Sequence, residues 1–415
     1  MQCGGRIRFK PFVAIRPHPE QVARVASPPY DVVTREEAAA EAEGNPLSFL
    51  HVCRSEIDLP AETDPHDDRV YHTARANLDR LLRDGVLSPD DAPSVFLYEL
   101  SQGGGGRSQV GVVGCVHVTD YADDVILKHE KTRKDKEDDR TRHILELNVH
   151  PEPVFLTVRD HPDLTAMIEA GTRAEPLYDF VSDGVRNRVW QVTDADRFTA
   201  LFDGIPSAYV ADGHHRCASA WRAGVERRES NPDHDGTEEY NWFPAVLFPA
   251  SQLNILPYHR VVRDLSGLTP SDVLGRLRAL GTVVPVDNPN PPSPGSFGVY
   301  LDGKWFLLTL DPDSIPVHDP VQSLDAALLE TQVLGPVLGI GDIRTDPRVD
   351  FVGGKRGTQE LERRVDSGEA AIAFALHPVT VDQLLAVSDG GGIMPPKTTW
   401  FEPKLRSGLF LHSLD

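Results

Sequence analysis

The sequence predicts a protein of the α+β, or mixed α/β, class. Apolar runs typical of strands alternate with segments that have helical spacing along all 415 residues, and no internal repeat is evident. The composition, with 40% hydrophobic and 25% charged residues, is that of an ordinary globular protein. This length is typical of one large domain or of two domains. We place them at residues 1–285 and 286–415, because the span 287–296 is rich in proline and glycine, as linkers are.

The N-terminal half contains several elements with clear ends. A short strand is expected to stop at Pro17, since proline cannot donate to a sheet. Thr34 is a suitable N-cap for a helix that Gly44 ends, and residues 69–84 carry apolar side chains at helical spacing. Strands are expected for SVFLYEL and QVGVVGCVHV, which form a hairpin across the loop SQGGGGRS, and for VFLTV.

The segment from 207 to 229 is expected to pass from a short strand through a glycine turn into a helix. Strands and helices continue to alternate after it. The predicted strands are WFPAVLFPA, LNILPYHRVV, WFLLTL and AAIAFAL, and the predicted helices are SLDAALLETQVL and TVDQLLAVS.

Charge and cysteine content narrow the class of function. The formal net charge is -21, so the overall field repels nucleic acid and anionic membrane surfaces. The four cysteines lie far apart and include no C-x-x-C pair, which fits a reducing compartment. No apolar stretch approaches the roughly 20 residues needed to span a bilayer, and the N-terminus lacks the apolar core of a signal peptide. We therefore expect a cytoplasmic protein without a membrane or nucleic-acid partner.

The sharpest local signal is the run Asp212-Gly213-His214-His215-Arg216 at the predicted strand-to-helix turn. The first N–H groups of a helix are unpaired, and the helix dipole favours an anion there. An arginine can add a bidentate fork to a phosphate, and an aspartate can orient an imidazole or hold magnesium. The alternative is a capped helix start with surface histidines.

A second signal is the basic concentration around Lys131 and Arg140 in an otherwise acidic chain. Together with His129 and Glu130, these residues are compatible with a phosphate or metal site. Nearby acidic residues nearly balance the positive charge, however. A solvated helix face with ion pairs at i and i+4 is therefore the alternative explanation.

A third signal is carboxylates on proline-stiffened backbone. Glu20 follows RPHP and Asp31 follows SPPY, and a base on such a segment cannot relax away from its target. A purely structural turn explains the same prolines. The C-terminal stretch MPPKTTWFEPKLRSG places Lys397 and Lys404 near Trp400, a density typical of loops that line sites, although a packed tail is the default.

Familiar catalytic motifs are missing from the sequence. It contains no G-x-x-x-x-G-K-[ST], G-x-S-x-G or H-E-x-x-H, and no G-x-G-x-x-G that opens a helix. The usual ATPase, hydrolase, zinc-protease and dinucleotide interpretations are therefore unsupported.

Eight segments together resemble domain-of-unknown-function family 1015, in order from about residue 10 to 412. They are PFVAIRPHPE, SPPYDVV, NPLSFLHVCRSEIDLP, the HEKT segment with Asp139-Arg140, PVFL, ADGHHR, ILPYHRVV and PPKTTWFEPKLRSGLF. The strand, D-G-H-H-R turn and helix also resemble the ParB and sulfiredoxin-like fold, which includes kinases that phosphorylate free L-serine. The resemblance implies a ParB/sulfiredoxin-like nucleotide-binding core with an additional mixed α/β region at the C-terminus.

The kinase resemblance also implies roles for individual residues. Glu20 is similar to the N-terminal glutamate that serves such kinases as base, with Asp31 and His215 as further catalytic candidates. The resemblance assigns nucleotide phosphates to Gly213, His214, His215 and Arg216. From their residue types and positions we add Asp212, Lys131 and Arg140 to the phosphate-binding set. The candidate substrate-binding residues are His129, Glu130, Lys397 and Lys404. The implied ligands are ATP (or ADP) and Mg²⁺, the latter at Asp212. The chain departs from the ParB phosphate motif, because Asp212 and two histidines replace its glutamate-arginine part.

Three activities follow as hypotheses. The first is a kinase that moves a nucleotide's terminal phosphoryl group to free L-serine. The second is a non-enzymatic nucleotide-binding switch of the ParB-like type. The third is a metal-assisted phosphohydrolase with Asp212, His214 and His215 as ligands. The oligomeric state is left open.

Overall fold

A computed structural model describes residues 5–103 and 107–415 of the chain. Residues 104–106 of the predicted glycine loop, and Cys3, lie outside the described residues. The remainder is a mixed α/β protein, which confirms the predicted class at that level.

Strands occur throughout the described chain. In order they are β1 (Phe9–Lys10), β2 (Ala14–Pro17), β3 (Leu87–Pro89), β4 (Val95–Gln102), β5 (Ser108–His117), β6 (Ile126–Leu127), β7 (Val149–His150), β8 (Val154–Val158), β9 (Tyr178–Ser182), β10 (Val185–Val192), β11 (Ala208–Asp212), β12 (Trp242–Pro249), β13 (Ile255–Leu256), β14 (Tyr258–Val262), β15 (Gly281–Pro285), β16 (Ser296–Leu301), β17 (Lys304–Leu310), β18 (Val349–Gly353), β19 (Ile372–Leu376), β20 (Trp400–Phe401) and β21 (Leu411–Ser413).

The α-helices are α1 (Val22–Val25), α2 (Arg35–Ala42), α3 (Leu50–Cys53), α4 (Asp68–Arg83), α5 (Val118–Ala122), α6 (Lys134–Leu147), α7 (Pro162–Gly171), α8 (Ala195–Phe202), α9 (His214–Ser230), α10 (Pro270–Arg278), α11 (Asp325–Leu328), α12 (Gly335–Leu338), α13 (Gln359–Asp366) and α14 (Val381–Asp389). A π-helix, Leu329–Leu334, follows α11 within the segment predicted as one helix, and α12 follows that segment. No helix in the described part of the chain is both long and apolar enough to cross a membrane.

The chain divides into two compact units. The first comprises Met1–Leu253 and Pro403–Asp415, and the second comprises Asn254–Glu402. This division replaces the boundary we predicted at residues 285 and 286. The reason is strand pairing, because β14 and β15, which precede that position, belong to the same sheet as β16 to β19, which follow it.

The first unit is built on a nine-stranded mixed sheet. Its strand order is β6-β11-β8-β12-β5-β4-β10-β9, and β1 pairs with β5 beside that path. The predicted hairpin is present as the antiparallel pair β4 and β5. A smaller sheet of order β3-β2-β21-β7 joins the last strand of the chain to one of the first. The C-terminal tail is thereby part of the first unit.

The second unit is built on a six-stranded antiparallel sheet of order β15-β17-β16-β19-β14-β18. One cluster of buried side chains includes Val262, Phe297 and Leu334, and a second includes Val261 and Ala373. Neighbouring residues Val261 and Val262 fall in different clusters because successive side chains of a strand point to opposite faces of a sheet.

Helix α2 illustrates how local sequence sets an element's ends. The Thr34 side chain accepts a hydrogen bond from the Glu37 N–H, and the Glu37 carboxylate accepts one from the Thr34 N–H. This reciprocal capping box satisfies two donors that a helix start otherwise leaves unpaired. The predicted N-cap is confirmed.

Candidate functional site

The predicted strand-turn-helix signal forms as expected. Strand β11 ends at Asp212, Gly213 adopts a left-handed conformation with φ 95° and ψ 36°, and α9 begins at His214. Few residues other than glycine adopt this conformation without strain. A Cβ at position 213 would also lie 2.9 Å from Nε of Arg216. Glycine is therefore required at this turn for two independent reasons.

The first turn of α9 presents free backbone donors. Gly213 makes no side-chain cap, and no acidic residue lies in the first turn. Cys217 N–H bonds to the Gly213 carbonyl, but no described acceptor receives the N–H groups of His214, His215 or Arg216. Three unpaired donors at the positive end of a 17-residue helix form a site that favours an anion.

Asp212 lies between two cationic side chains at this turn. Its Oδ1 accepts a hydrogen bond from Nζ of Lys404 at 2.8 Å, and its Oδ2 accepts one from Nη2 of Arg216 at 2.9 Å. Burial alone would raise the pKa of Asp212, but the two cations outweigh it and hold that pKa well below its usual range. The carboxylate is ionised, and its immediate surroundings carry a net positive charge.

Arg216 is buried, with 9% of its side chain exposed. Nη1 donates to the Pro153 carbonyl at 2.6 Å and Nη2 donates to Asp212, while Nε has no hydrogen-bond partner. The fork that we predicted for a phosphate is thus directed at Asp212 and Pro153. Arg216 supplies charge and holds the turn in place in this arrangement.

Two of the predicted histidines pack against each other. The ring centroids of His129 and His214 lie 4.5 Å apart, with the rings perpendicular. Burial and the neighbouring His129 ring lower the pKa of His214 well below its usual value, and burial lowers that of His129 to about 4. The Nε2 atom of His214 is buried without a hydrogen-bond partner. Both rings are therefore neutral at pH 7.

The basic segment reaches the same turn. Arg133 N–H donates to Nε2 of His215 at 3.1 Å, which places the loop before α6 beside the first turn of α9. Lys131 lies two residues earlier in that loop and is exposed. Burial lowers the pKa of His215, so its Nε2 is an acceptor at neutral pH. The loop that carries Lys131 therefore lies beside the Gly213 turn.

Arg140 and Asp31 belong to the same neighbourhood. The Arg140 guanidinium lies 4.4 Å from the ring centroid of Tyr30 and forms an ion pair with Asp139 at 2.7 Å. Asp31 is exposed, and its carboxylate acts electrostatically on both Arg216 and His215. The SPPYDV segment therefore contributes to the site.

The remaining predicted site residues are Glu20, Glu130 and Lys397. Glu20 lies on an exposed turn between β2 and α1, where its N–H donates to Nδ1 of His18 at 3.4 Å. No hydrogen bond or ion pair in the described residues joins Glu20 to positions 212–216. Glu130 lies between His129 and Lys131 in sequence and is partly exposed. Lys397 belongs to the second unit, where Nζ lies 5.8 Å from the Tyr258 ring centroid.

Sequence reasoning missed Glu152 and Ser407. Glu152 is buried, and its Oε1 accepts hydrogen bonds from the Ser407 hydroxyl and, at 3.4 Å, from the Tyr30 N–H. A usable signal was present, because Glu152 stands between Pro151 and Pro153, as Glu20 follows Pro17 and Pro19.

The predicted magnesium does not fit Asp212 as it stands, since both carboxylate oxygens already accept bonds from cationic groups. Within residues 5–103 and 107–415, no group of three His, Cys, Asp or Glu side chains is arranged to hold a metal ion. The set of Asp212, His214 and His215 that we considered for a phosphohydrolase does not form such a group.

Comparison with known proteins gives a family and several distant structures. A family model described as "Protein of unknown function (DUF1015)" matches residues 9–327. No curated protein matches the chain significantly.

The solved structures that align with the chain have low identity. A free serine kinase in complex with AMP aligns at 11% identity and a TM-score of 0.37, over 72% of this chain and 90% of that one. SbnI with a C-terminal truncation, from Staphylococcus aureus, aligns at 13% identity and a TM-score of 0.39, over 71% of this chain and 85% of that one. A conserved hypothetical protein from Pyrococcus furiosus aligns at 13% identity and a TM-score of 0.35, over 71% of this chain and 93% of that one.

Proposed function

The chain belongs to the DUF1015 family of proteins of unknown function, and we propose that it is a small-molecule phosphotransferase. It binds the phosphates of a nucleotide at the Gly213 turn and moves the terminal phosphoryl group to a hydroxyl acceptor. The supporting observation is the set of three unpaired N–H groups at the start of α9, next to a carboxylate held by two cations. Phosphoryl transfer requires mainly positioning and charge stabilisation, which such a turn supplies.

The ligands of this proposal follow from the sequence resemblance. The donor is ATP or ADP, and the acceptor is free L-serine. Any Mg²⁺ would be held chiefly by the nucleotide phosphates, because Asp212 is already neutralised by Lys404 and Arg216. The ParB/sulfiredoxin-like core and the additional roles of Lys131, Glu130 and Lys397 are part of the same proposal.

A non-enzymatic nucleotide switch is the second candidate. It requires only the phosphate site, and the exposed position of Glu20, without a link to the turn, favours it over a kinase that uses Glu20 as base. The two candidates differ in one measurable outcome. A kinase forms phosphoserine from ATP or ADP and L-serine, which phosphorus NMR detects, whereas a switch binds the nucleotide and leaves it unchanged.

Replacing Gly213 by alanine is expected to weaken nucleotide binding at least tenfold, equivalent to about 1.4 kcal/mol. The new Cβ would meet the Arg216 guanidinium at 2.9 to 3.2 Å and displace it, and the left-handed backbone would be strained by about 1 to 2 kcal/mol. Calorimetric titration with ATP and with ADP measures the binding.

Gly44→Ala is the matched control for this substitution. Gly44 has a φ of +70°, so alanine is strained there too, but nothing lies within 4 Å of its Cβ position. The control should lose similar stability and keep wild-type nucleotide affinity. Equal affinities in both variants would remove the phosphate site from the Gly213 turn.

A further inference from the structure

Glu152 is a buried carboxylate without an ion pair. It is 6% exposed and lies between β7 and β8. No salt bridge within the described residues includes Glu152, although many acidic side chains of the same unit have a cationic partner. Burying a carboxylate without a paired charge is costly, so such a group is a candidate for function rather than for stability.

The surroundings of Glu152 connect it to the phosphate site. Glu152 lines a cavity together with Arg140 and Arg216, and two buried histidines, His143 and His150, line it as well. The cavity has a volume of about 20 Å³. That is enough for one water molecule or one hydroxyl group.

The hydrogen bonds of Glu152 leave one oxygen available. The Ser407 hydroxyl and the Tyr30 N–H both donate to Oε1, and within the described chain Oε2 receives no hydrogen bond. A carboxylate that already holds one hydroxyl on Oε1 can therefore accept a second on Oε2.

The charge balance around Glu152 is suited to proton transfer. Burial raises the pKa of Glu152, Asp31 raises it further, and Arg216, the Ser407 hydroxyl and Arg140 oppose the increase. A carboxyl whose pKa lies above its ordinary value is closer to the working pH and is a better proton acceptor and donor there.

We propose that Glu152 is the general base of this site and takes the proton of the acceptor hydroxyl. The inference rests on the proposed phosphotransferase function. In the step, the acceptor oxygen forms a bond to the terminal phosphorus of the nucleotide, and the bond from that phosphorus to its bridging oxygen breaks. The bridging oxygen leaves with the electron pair on the shortened nucleotide, and the hydroxyl proton moves to Oε2 of Glu152.

Glu152→Gln tests the assignment, since glutamine keeps an oxygen for Ser407 and Tyr30 but cannot take up the proton. With ATP or ADP, magnesium and L-serine, its kcat should fall about a hundredfold to ten-thousandfold. The nucleotide Kd from calorimetry should stay within about twofold of the wild type, because the described hydrogen bonds of Glu152 come from Ser407 and Tyr30 and none comes from the N–H groups of the Gly213 turn. The acidic limb of the kcat–pH profile, which reports the ionisation of the base, should be lost in the residual activity.

Glu152→Asp and Glu20→Gln complete the comparison. Glu152→Asp keeps a base on a shorter side chain, so it should recover part of the lost kcat even if Glu152→Gln is less stable. Glu20→Gln should keep most of the activity, because no hydrogen bond or ion pair in the described residues joins Glu20 to positions 212–216. If the wild type forms phosphoserine and Glu152→Gln does so at a similar rate, Glu152 is not the base. A wild type that binds nucleotide but forms no phosphoserine contradicts the proposed function itself, and the step assigned to Glu152 with it.

Discussion

Arg216→Met is expected to lower the free energy of unfolding by about 3 to 5 kcal/mol, the usual cost of removing one partner from a buried ion pair. The substitution leaves the Pro153 carbonyl without its donor and Asp212 with Lys404 as its single cationic partner. Chemical denaturation at pH 7.5 measures the loss. Arg216→Lys keeps the positive charge but cannot keep both hydrogen bonds, to Asp212 and to the Pro153 carbonyl. It should therefore lose less stability than Arg216→Met.

Arg222→Met is the control on the same helix. Arg222 pairs with Glu137 and Asp138, but 31% of its side chain is exposed, against 9% for Arg216. Exposed ion pairs contribute about 1 kcal/mol or less. Similar losses for the two variants would show that Arg216 does not organise the turn as its contacts indicate.

The stability contributed by buried histidines is expected to decrease as the pH is lowered from 7.5 to 5. Burial lowers the pKa of His129 to about 4 and that of His143 to about 3. Below the ordinary histidine pKa of about 6.5, the unfolded chain takes up protons that the folded chain does not. The stability that these neutral histidines contribute is therefore fully present above pH 6.5. It decreases as the pH falls toward their pKa values in the folded protein. By pH 5 each of the two histidines should have lowered the free energy of unfolding by about 2 kcal/mol, at about 1.4 kcal/mol per pKa unit.

His143→Gln isolates this effect. Nε2 of His143 bonds to the Val52 carbonyl at 3.0 Å, and a glutamine amide can donate there without titrating. The variant is compared with the wild type at both pH values, because Asp325, whose pKa burial raises to about 7, acts in the opposite direction. Between pH 7.5 and 5 the variant should lose about 2 kcal/mol less than the wild type. An identical pH dependence would show that His143 is not held neutral by the fold.

Short-range signals predicted the centre of the candidate site. The apolar strand β11, the left-handed Gly213 and the start of α9 are all consequences of neighbouring residues. The same holds for the Thr34 capping box, whose partners are three positions apart. Elements of this kind are predictable because backbone sterics and local hydrogen bonds determine them within a few residues.

The composition of the site beyond the turn depended on tertiary structure. Asp212 and Lys404 are 192 positions apart, and Glu152 and Ser407 are 255 positions apart. Proline-flanked carboxylates occur at both Glu20 and Glu152, and the sequence pattern does not distinguish the exposed one from the buried one. Solvent exposure depends on what packs against a residue from elsewhere in the chain.

The sequence by itself therefore determined the mixed α/β class, the strand-turn-helix with its free N–H groups, and the family to which the chain belongs. Tertiary structure decided the division into two units, because β14 and β15 pair with strands that follow the predicted boundary. It also decided which charges meet, since the pairing of β21 with β2 and β7 returns the C-terminal tail to the first unit. Local sterics act between neighbours in sequence, whereas burial and ion pairing act between neighbours in space.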